Sequence, residues 1–266
     1  MVALTVSRKG LQQLIDGFGT GIGDLRLRVK HSGVIGGEGN GAVLVASVGY
    51  YTHYLRLTTI VNDVEEPGSI AISDINAVRA FLKSGKDTDV HLQQDGENKM
   101  LYLTCGRAKI HLPGTGKVES FSHVPMIERI IKEAEENHWT QWSDRPLSCS
   151  GTLQTSDTQE AIAIHSVLGE NPLYTVEFWA NQSEMKVKAG KKSKGRMFVT
   201  APIENAKGPE HKCTSVYGAN FPVNLKCLPA GELNMYMGDD TPIVFYHDAT
   251  ASYLIIFDCD YEEGWQ

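Results

Sequence analysis

The feature that most constrains this chain is a repeat. At a shift of 143 residues, Leu82 and Lys83 fall on Leu225 and Lys226, Val90 and Leu92 on Leu233 and Met235, Leu101 and Leu103 on Val244 and Tyr246, and Leu112 on Ile255. Turns fall on turns. One spacing kept over several elements is the mark of a duplicated unit rather than of two unrelated β-rich halves. Near the start of each half the shift widens to about 150, placing Leu11, Leu14, Phe18 and Gly19 over Ala161, Ile164, Leu168 and Gly169.

Each half has the same order. In the first, "SRKGLQQLIDGF" (7–18) spaces Leu11, Leu14, Ile15 and Phe18 along one helical stripe behind a Ser7 cap. Strand patterns follow at 24–31, 42–48 and 52–61. "SDINAVRAFLKSG" (73–85) is a second amphipathic helix with Ile75, Val78, Phe81 and Leu82 inward and Arg79 and Lys83 expected on its solvent face. Three more strands run to Pro113. In the second half, 156–169 and "FPVNLKCL" (221–228) read as the helices. The chain then closes with "GELNMYMGDDTPIVFYHDATASYLIIFDCD" (231–260), a meander with an acidic turn. Proline is tolerated at strand starts and edges, so Pro242 is expected at a surface. Between the halves, "KVESFSHVPMIERIIKEAEENHWTQWSDRP" (117–146) spaces Ile127, Ile130, Ile131 and Ala134 helically behind Pro125, a favoured first-turn residue. The expected division is 1–116, a connector at 117–146, and 147–266.

Composition narrows the class. With 266 residues, 41% hydrophobic and 21% charged, the chain is sized for two ordinary globular domains. No run approaches the roughly 20 apolar residues of a membrane span, and the N-terminus lacks a signal-peptide pattern. The expected location is intracellular: cytoplasm, nucleoid or nucleus, or host cytoplasm for a viral protein. Five cysteines, odd in number and widely spaced, suit a reducing compartment and are expected as free thiols. A net charge of −7 argues against an overall basic coat for nucleic acid, though not against a basic face.

Signals for chemistry are missing. The nine histidines and five cysteines show no H-E-x-x-H or paired metal-ligand spacing, and "GVIGGEGNGAV" and "PGTGKV" lack the order of a phosphate loop. No G-x-S-x-G elbow occurs. No catalytic residue, metal or cofactor is expected.

Two helices among many antiparallel strands, twice over, with a long connector, resembles the DNA sliding clamp family: proliferating cell nuclear antigen and its archaeal and phage relatives. "ELNMYMGDDTPIVFYHDATASYLIIF" is similar to that family's last hairpin and final strand, and "GSIAISDINAVRAFLKSGKDTDVHLQ" to its second helix with flanking strands. The resemblance implies an α+β fold of duplicated clamp domains, each with two short helices packed on antiparallel sheets. Three subunits would close head to tail into a six-domain ring. The function implied is that of a non-catalytic processivity factor. It encircles double-stranded DNA without reading sequence, is placed there by a clamp loader, and docks DNA polymerase and other clamp-binding peptides.

The resemblance also suggests residues. Arg8, Lys9, Arg79, Lys83 and Lys226 would face phosphates, with Lys191 and Lys192 of the basic hairpin 186–196 as further contacts, or else as plain solvated charges. Helix 156–169 departs from the family in carrying no Lys or Arg, so any contact there would be polar, through Gln159. The peptide groove would involve Val43, Pro242 and Ile256, with Ile130 or Ile131 at its rim. The subunit edges would be "AKIHLP", with Ile110 and Leu112, and "EMKVKA", with Met185 and Val187. The alternative reading is a non-catalytic β-rich structural or assembly protein, such as a viral component, built from a duplicated domain.

Overall fold

A computed structural model describes residues 1–18, 25–32, 41–49, 53–115, 124–158, 173–189, 197–218, 221 and 225–258. The chain divides into two compact units. One comprises 1–49, 55–124 and 249–251; the other 50–54, 125–248 and 252–266.

The first unit opens with β1 (Val2–Ser7) and α1 (Arg8–Gly17). Ser7 ends the strand and caps the helix, its Oγ accepting the Gly10 N–H at 3.0 Å. Leu11, Leu14 and Ile15 are buried, as their spacing predicts. Then come β2 (Leu25–Ser32), β3 (Gly41–Gly49), β4 (His53–Glu66) and β5 (Ser69–Ile72). Helix α2 (Ile75–Ser84) begins where the Asp74 carboxylate accepts the Ala77 N–H at 2.9 Å. A meander of β6 (Asp89–Gln94), β7 (Leu101–Cys105) and β8 (Ala108–Leu112) completes the unit. The sheet path is β4-β1-β6-β7-β8, with β3, β2 and β5 continuing from β4. Leu4, Leu92, Leu103 and Ile110 pair in sequence across four strands, an apolar row that ends on β8.

The second unit begins with α3 (Val124–Glu136), then β9 (Gln141–Trp142), β10 (Arg145–Pro146) and β11 (Cys149–Gln154). Backbone at 155–158 is helical. Next are β12 (Tyr174–Trp179), β13 (Glu184–Ala189), β14 (Met197–Pro202), β15 (Glu204–Lys207) and β16 (Cys213–Tyr217). The closing meander is β17 (Glu232–Met237), β18 (Ile243–His247) and β19 (Ser252–Ile256). One sheet path runs β15-β11-β17-β18-β19, and a second sheet is ordered β14-β13-β12-β16. Trp142, Tyr174, Phe178, Tyr217, Phe221 and Phe245 are fully enclosed in its core, with Tyr217 stacked on Phe221 at 5.2 Å.

The duplication is visible in the strand bounds. β6 and β17 lie 143 residues apart from end to end, whereas β1 and β11 are 147 apart. The second-unit helix thus starts a residue or so ahead of its sequence-based position. Among the described residues no helix is long and apolar enough to cross a membrane.

Helix α3 turns the connector into a packed element. Ile127, Ile130, Ile131 and Ala134 are buried, and the opposite face carries the exposed pairs Arg129–Glu133 and Lys132–Glu136 at 3.9 and 3.7 Å. It ends in a left-handed pair, His138 (φ 56°) and Trp139 (φ 59°). The Trp139 N–H reaches back to the Ala134 carbonyl at 2.7 Å, satisfying an orphan acceptor of the last turn.

Candidate functional site

In the first unit, two arginines tie the helices together, each reaching the C-terminal carbonyls of the other's helix. Arg8, at the start of α1, donates through Nη1 to the Leu82 carbonyl at 3.0 Å and through Nε to the Asp87 carbonyl at 2.8 Å. Arg79, on α2, donates through Nη2 to the Ile15 carbonyl at 3.0 Å and through Nη1 to Asn76 Oδ1 at 2.9 Å, and its Nε lies 3.4 Å from Asp16. The helices are therefore antiparallel, and each arginine neutralises a negative helix end. This corrects the expectation for Arg79. It is 8% exposed rather than on a solvent face, because the second helix that covers it leaves no trace in the periodicity of the first.

Of the lysines expected to face phosphates, those described are exposed: Lys9 on α1, Lys83 in the last turn of α2, and Lys226 beyond the helical residue Leu225. Because Arg8 joins the start of α1 to the end of α2, Lys9 and Lys83 share one end of the helix pair. Gln159, Lys191 and Lys192 lie outside the described residues. Of the other hairpin lysines, Lys186 lies 5.6 Å from the Phe198 ring centroid and Lys188 is paired with Glu177 at 2.6 Å.

Glu177 is nearly enclosed. Burial alone would raise its pKa, but hydrogen bonds from Lys188 at 2.6 Å and Lys212 at 2.8 Å outweigh it and hold the carboxyl at about 2. His53 is moved by burial alone, down to about 4. Both groups make acid destabilising. The unfolded chain takes up a His53 proton near pH 6.5 that the folded chain refuses until about pH 4, which removes up to about 3 kcal/mol across that window. Glu177 adds a loss that begins below pH 4.5 and runs to about pH 2. Urea midpoints measured from pH 7 to 4 should therefore fall in the parent and stay flatter in His53→Gln. Parallel curves would remove His53 as the cause.

The acidic turn before β18 is held by β16 through a closed set of hydroxyl bonds. Ser215 Oγ donates to the Gly238 carbonyl at 3.0 Å and accepts the Thr241 N–H at 3.1 Å, while Tyr217 Oη donates to the Thr241 carbonyl at 3.0 Å. Thr241 Oγ1 accepts the Gly238 N–H at 2.7 Å. Pro242, which follows, is buried rather than at a surface. The ladder of β18 begins at Ile243, so the missing N–H disturbs no strand pair and the ring simply fills space. Tyr217→Phe, which removes one enclosed bond and leaves the Thr241 carbonyl without it, is expected to cost about 1–2 kcal/mol in denaturant unfolding. An unchanged midpoint would show that the turn does not depend on it.

The remaining groove candidates are also covered. Val43 is 5% exposed, Ile130 9%, Ile131 2% and Ile256 2%. Ile130 and Ile131 are thus on the packed face of α3 and form no open rim, because the connector is a helix with one apolar side. Ile256 pairs with Ile243 in the ladder beside Pro242. Val43 lies in the first unit.

Sequence reasoning missed an aromatic group in the second unit. Trp139 stacks on Tyr236 at 5.4 Å and meets Tyr253 at 5.8 Å, and Tyr253 stacks on Tyr246 at 4.5 Å. The Tyr253 hydroxyl donates to Glu135 of α3. Tyr246 is pushed up to about 12 by burial and by its bond to Asp248. Tyr236 and Tyr246 remain part-exposed. Tyrosines on three successive strands, after a tryptophan at a helix end, were the available signal.

One of the two expected strand edges differs from expectation. β8 pairs only with β7 among the described residues, leaving Ile110 half-buried and Leu112 buried on a terminal strand. β13, carrying Met185 and Val187, pairs with both β12 and β14, and both side chains are buried. The strands that end that sheet are β14 and β16, and on β14 Phe198 is 64% exposed.

No protein-family model matches the chain, and no curated protein matches it in sequence. Solved structures do. The chain is similar to the proliferating cellular nuclear antigen of Entamoeba histolytica at 10% identity and TM-score 0.69, covering 97% of this chain and 98% of that one. It is similar to A. fulgidus PCNA bound to the C-terminal region of FEN-1 at 11% identity and TM-score 0.66, with the same coverage of 97% and 98%. The Helicobacter pylori beta clamp bound to a DNA ligase peptide matches at 10% identity and TM-score 0.61, where 96% of this chain spans 66% of the clamp. The fold is that of the sliding clamps.

Proposed function

We propose that the protein is a sliding clamp, a processivity factor whose copies close into a homotrimeric ring around duplex DNA. The observation that carries this reading is the clamp fold over nearly the whole chain. The helix surfaces support it, since Lys9, Lys83 and Lys226 are exposed ammonium groups, point charges suited to phosphate rather than to base edges. Phosphate attraction of this kind is independent of sequence and compatible with sliding. Arg8 and Arg79 act in this reading as helix ties whose charge adds only to the field. Ring closure joins β8 of one copy to β14 of the next, and a clamp loader opens it.

Partner peptides dock on the second unit beside α3. The part-exposed Tyr236 and Tyr246 are the anchors, with Pro242, Ile243 and Ile256 as packing beneath the strand surface. A titration with the C-terminal peptide of the cognate polymerase should weaken by about tenfold or more in Tyr246→Ala. Equal affinity would remove this surface from the proposal.

Retention by topology is the decisive test. The protein is allowed to thread onto linear duplex, and the DNA ends are then left open or blocked with bulky protein before a high-salt wash. A clamp stays only on blocked DNA. Equal retention on both substrates, or none on either, would leave the fold without this function and favour a structural or assembly role.

A further inference from the structure

We propose that His211, Cys213 and Asp239 form a binding site for one divalent cation of the zinc type, at the point where β16 meets the acidic turn before β18. Their donor atoms all lie within 4.8 Å of one another. His211 Nε2 and Asp239 Oδ2 are 3.7 Å apart. That is long for a hydrogen bond, but close to the ~3.4 Å that separates two ligands on one tetrahedral ion with bonds of about 2.0–2.1 Å.

The surroundings are those of a prepared site. Asp239 is fixed from behind: its Oδ1 accepts the Thr214 N–H at 2.7 Å, and the next residue, Asp240, donates its N–H to the Thr214 carbonyl at 3.1 Å. Oδ2 is thereby turned toward His211. Cys213 is fully buried, so the sulfur is held by the core of the unit. Ser148 Oγ lies 3.4 Å from Cys213 Sγ and can donate to a thiolate there, the outer-shell support that metal-bound sulfur usually has. The His211 and Asp239 side chains are 71% and 52% exposed, which leaves a solvent path for the ion and room for water as a fourth ligand.

The donor set selects the metal. One sulfur, one imidazole and one carboxylate suit zinc and its borderline neighbours, whereas magnesium and calcium take oxygen alone. Cys149 lies beside Cys213 and is the competing thiol. A thiolate is the ligand form, so Cys213 gives up its proton to solvent as the ion binds. A bound ion would link the 211–213 segment to the turn that positions Pro242. It would thus stabilise the folded state in proportion to its occupancy.

The test uses the full chain, reduced and stripped with chelator, and titrated with cobalt(II) followed by zinc(II). One equivalent of cobalt should bring thiolate-to-metal charge-transfer absorption and the intense visible bands of a four-coordinate ion, both erased by zinc. The thermal midpoint should rise with added zinc. His211→Ala, at an exposed side chain, and Asp239→Asn, which keeps an oxygen for the Thr214 N–H, should each weaken binding by at least about tenfold. Cys213→Ser should lose the charge-transfer absorption. Absence of that absorption in the parent would overturn the site. So would its persistence at unchanged affinity in both His211→Ala and Asp239→Asn, which would assign the metal to the Cys149–Cys213 pair instead.

Discussion

Replacing Lys9, Lys83 and Lys226 together by Gln is expected to flatten the salt dependence of duplex binding by a log–log slope of about 2.7, at roughly 0.9 for each phosphate no longer neutralised. Over a fourfold rise in salt, the parent should then lose about 40-fold more affinity than the variant. The triple Glu variant, which adds repulsion, should not bind measurably at moderate salt. The choice of residues follows from the helix pair. Arg8 and Arg79 are occupied by the Leu82, Asp87 and Ile15 carbonyls, so removing Arg79 should lower the unfolding midpoint more than it changes the salt slope. The three lysines are exposed, so their removal should leave the midpoint nearly unchanged. Binding by fluorescence anisotropy at several salt concentrations distinguishes the two classes. A triple Gln variant whose slope equals the parent's would place the DNA contacts elsewhere.

What the sequence made legible was local or periodic. Leu11, Leu14 and Ile15, or Ile127, Ile130, Ile131 and Ala134, declare a helix face because burial repeats every 3.6 residues whatever the helix packs against. The strand repeat survives in Val90 and Leu92 against Leu233 and Met235 because an inward position must stay apolar in both copies. Most departures concern a neighbour distant in sequence. Arg79 looks solvent-facing on its own helix and is covered by another. Alternation in "EMKVKA" fits an edge or an interior strand equally well, and only the pairing of β13 with both β12 and β14 decides. The rule for ladder prolines puts Pro242 at a surface, yet this proline precedes its ladder. His211, Cys213 and Asp239 show no motif spacing because a turn and a strand, rather than one loop, bring them together.

The ring itself carries the other large expected effect. A closed head-to-tail assembly needs two different edges on each chain, and a contact that failed to close would grow into filaments. β8 and β14 are such edges. Each ends its strand path among the described residues, and each exposes backbone donors and acceptors together with an apolar side chain, Ile110 on one and Phe198 on the other. Isolated edges of this kind are usually protected by a charge or proline within the strand. β14 has no charged residue and its proline is the last residue, Pro202, so that ladder is left open to a partner; β8 has one charge, Lys109, and Pro113 falls just beyond the strand, so no proline blocks its ladder. With two units per chain, the proposed six-unit ring takes three copies. Light scattering of the parent above micromolar concentration should give three times 29.3 kDa. Phe198→Glu, altered at a side chain already 64% exposed, should keep its circular dichroism. It should weaken each contact by about 30-fold or more, as loss of a central apolar anchor does, so that single chains dominate at low micromolar concentration. Ile110→Lys on the opposite edge should do the same, and mixing the two variants should not restore trimers, because every closed ring would still contain an impaired contact. A parent that scatters as one chain, or a Phe198→Glu variant that remains trimeric, would exclude closure through these edges.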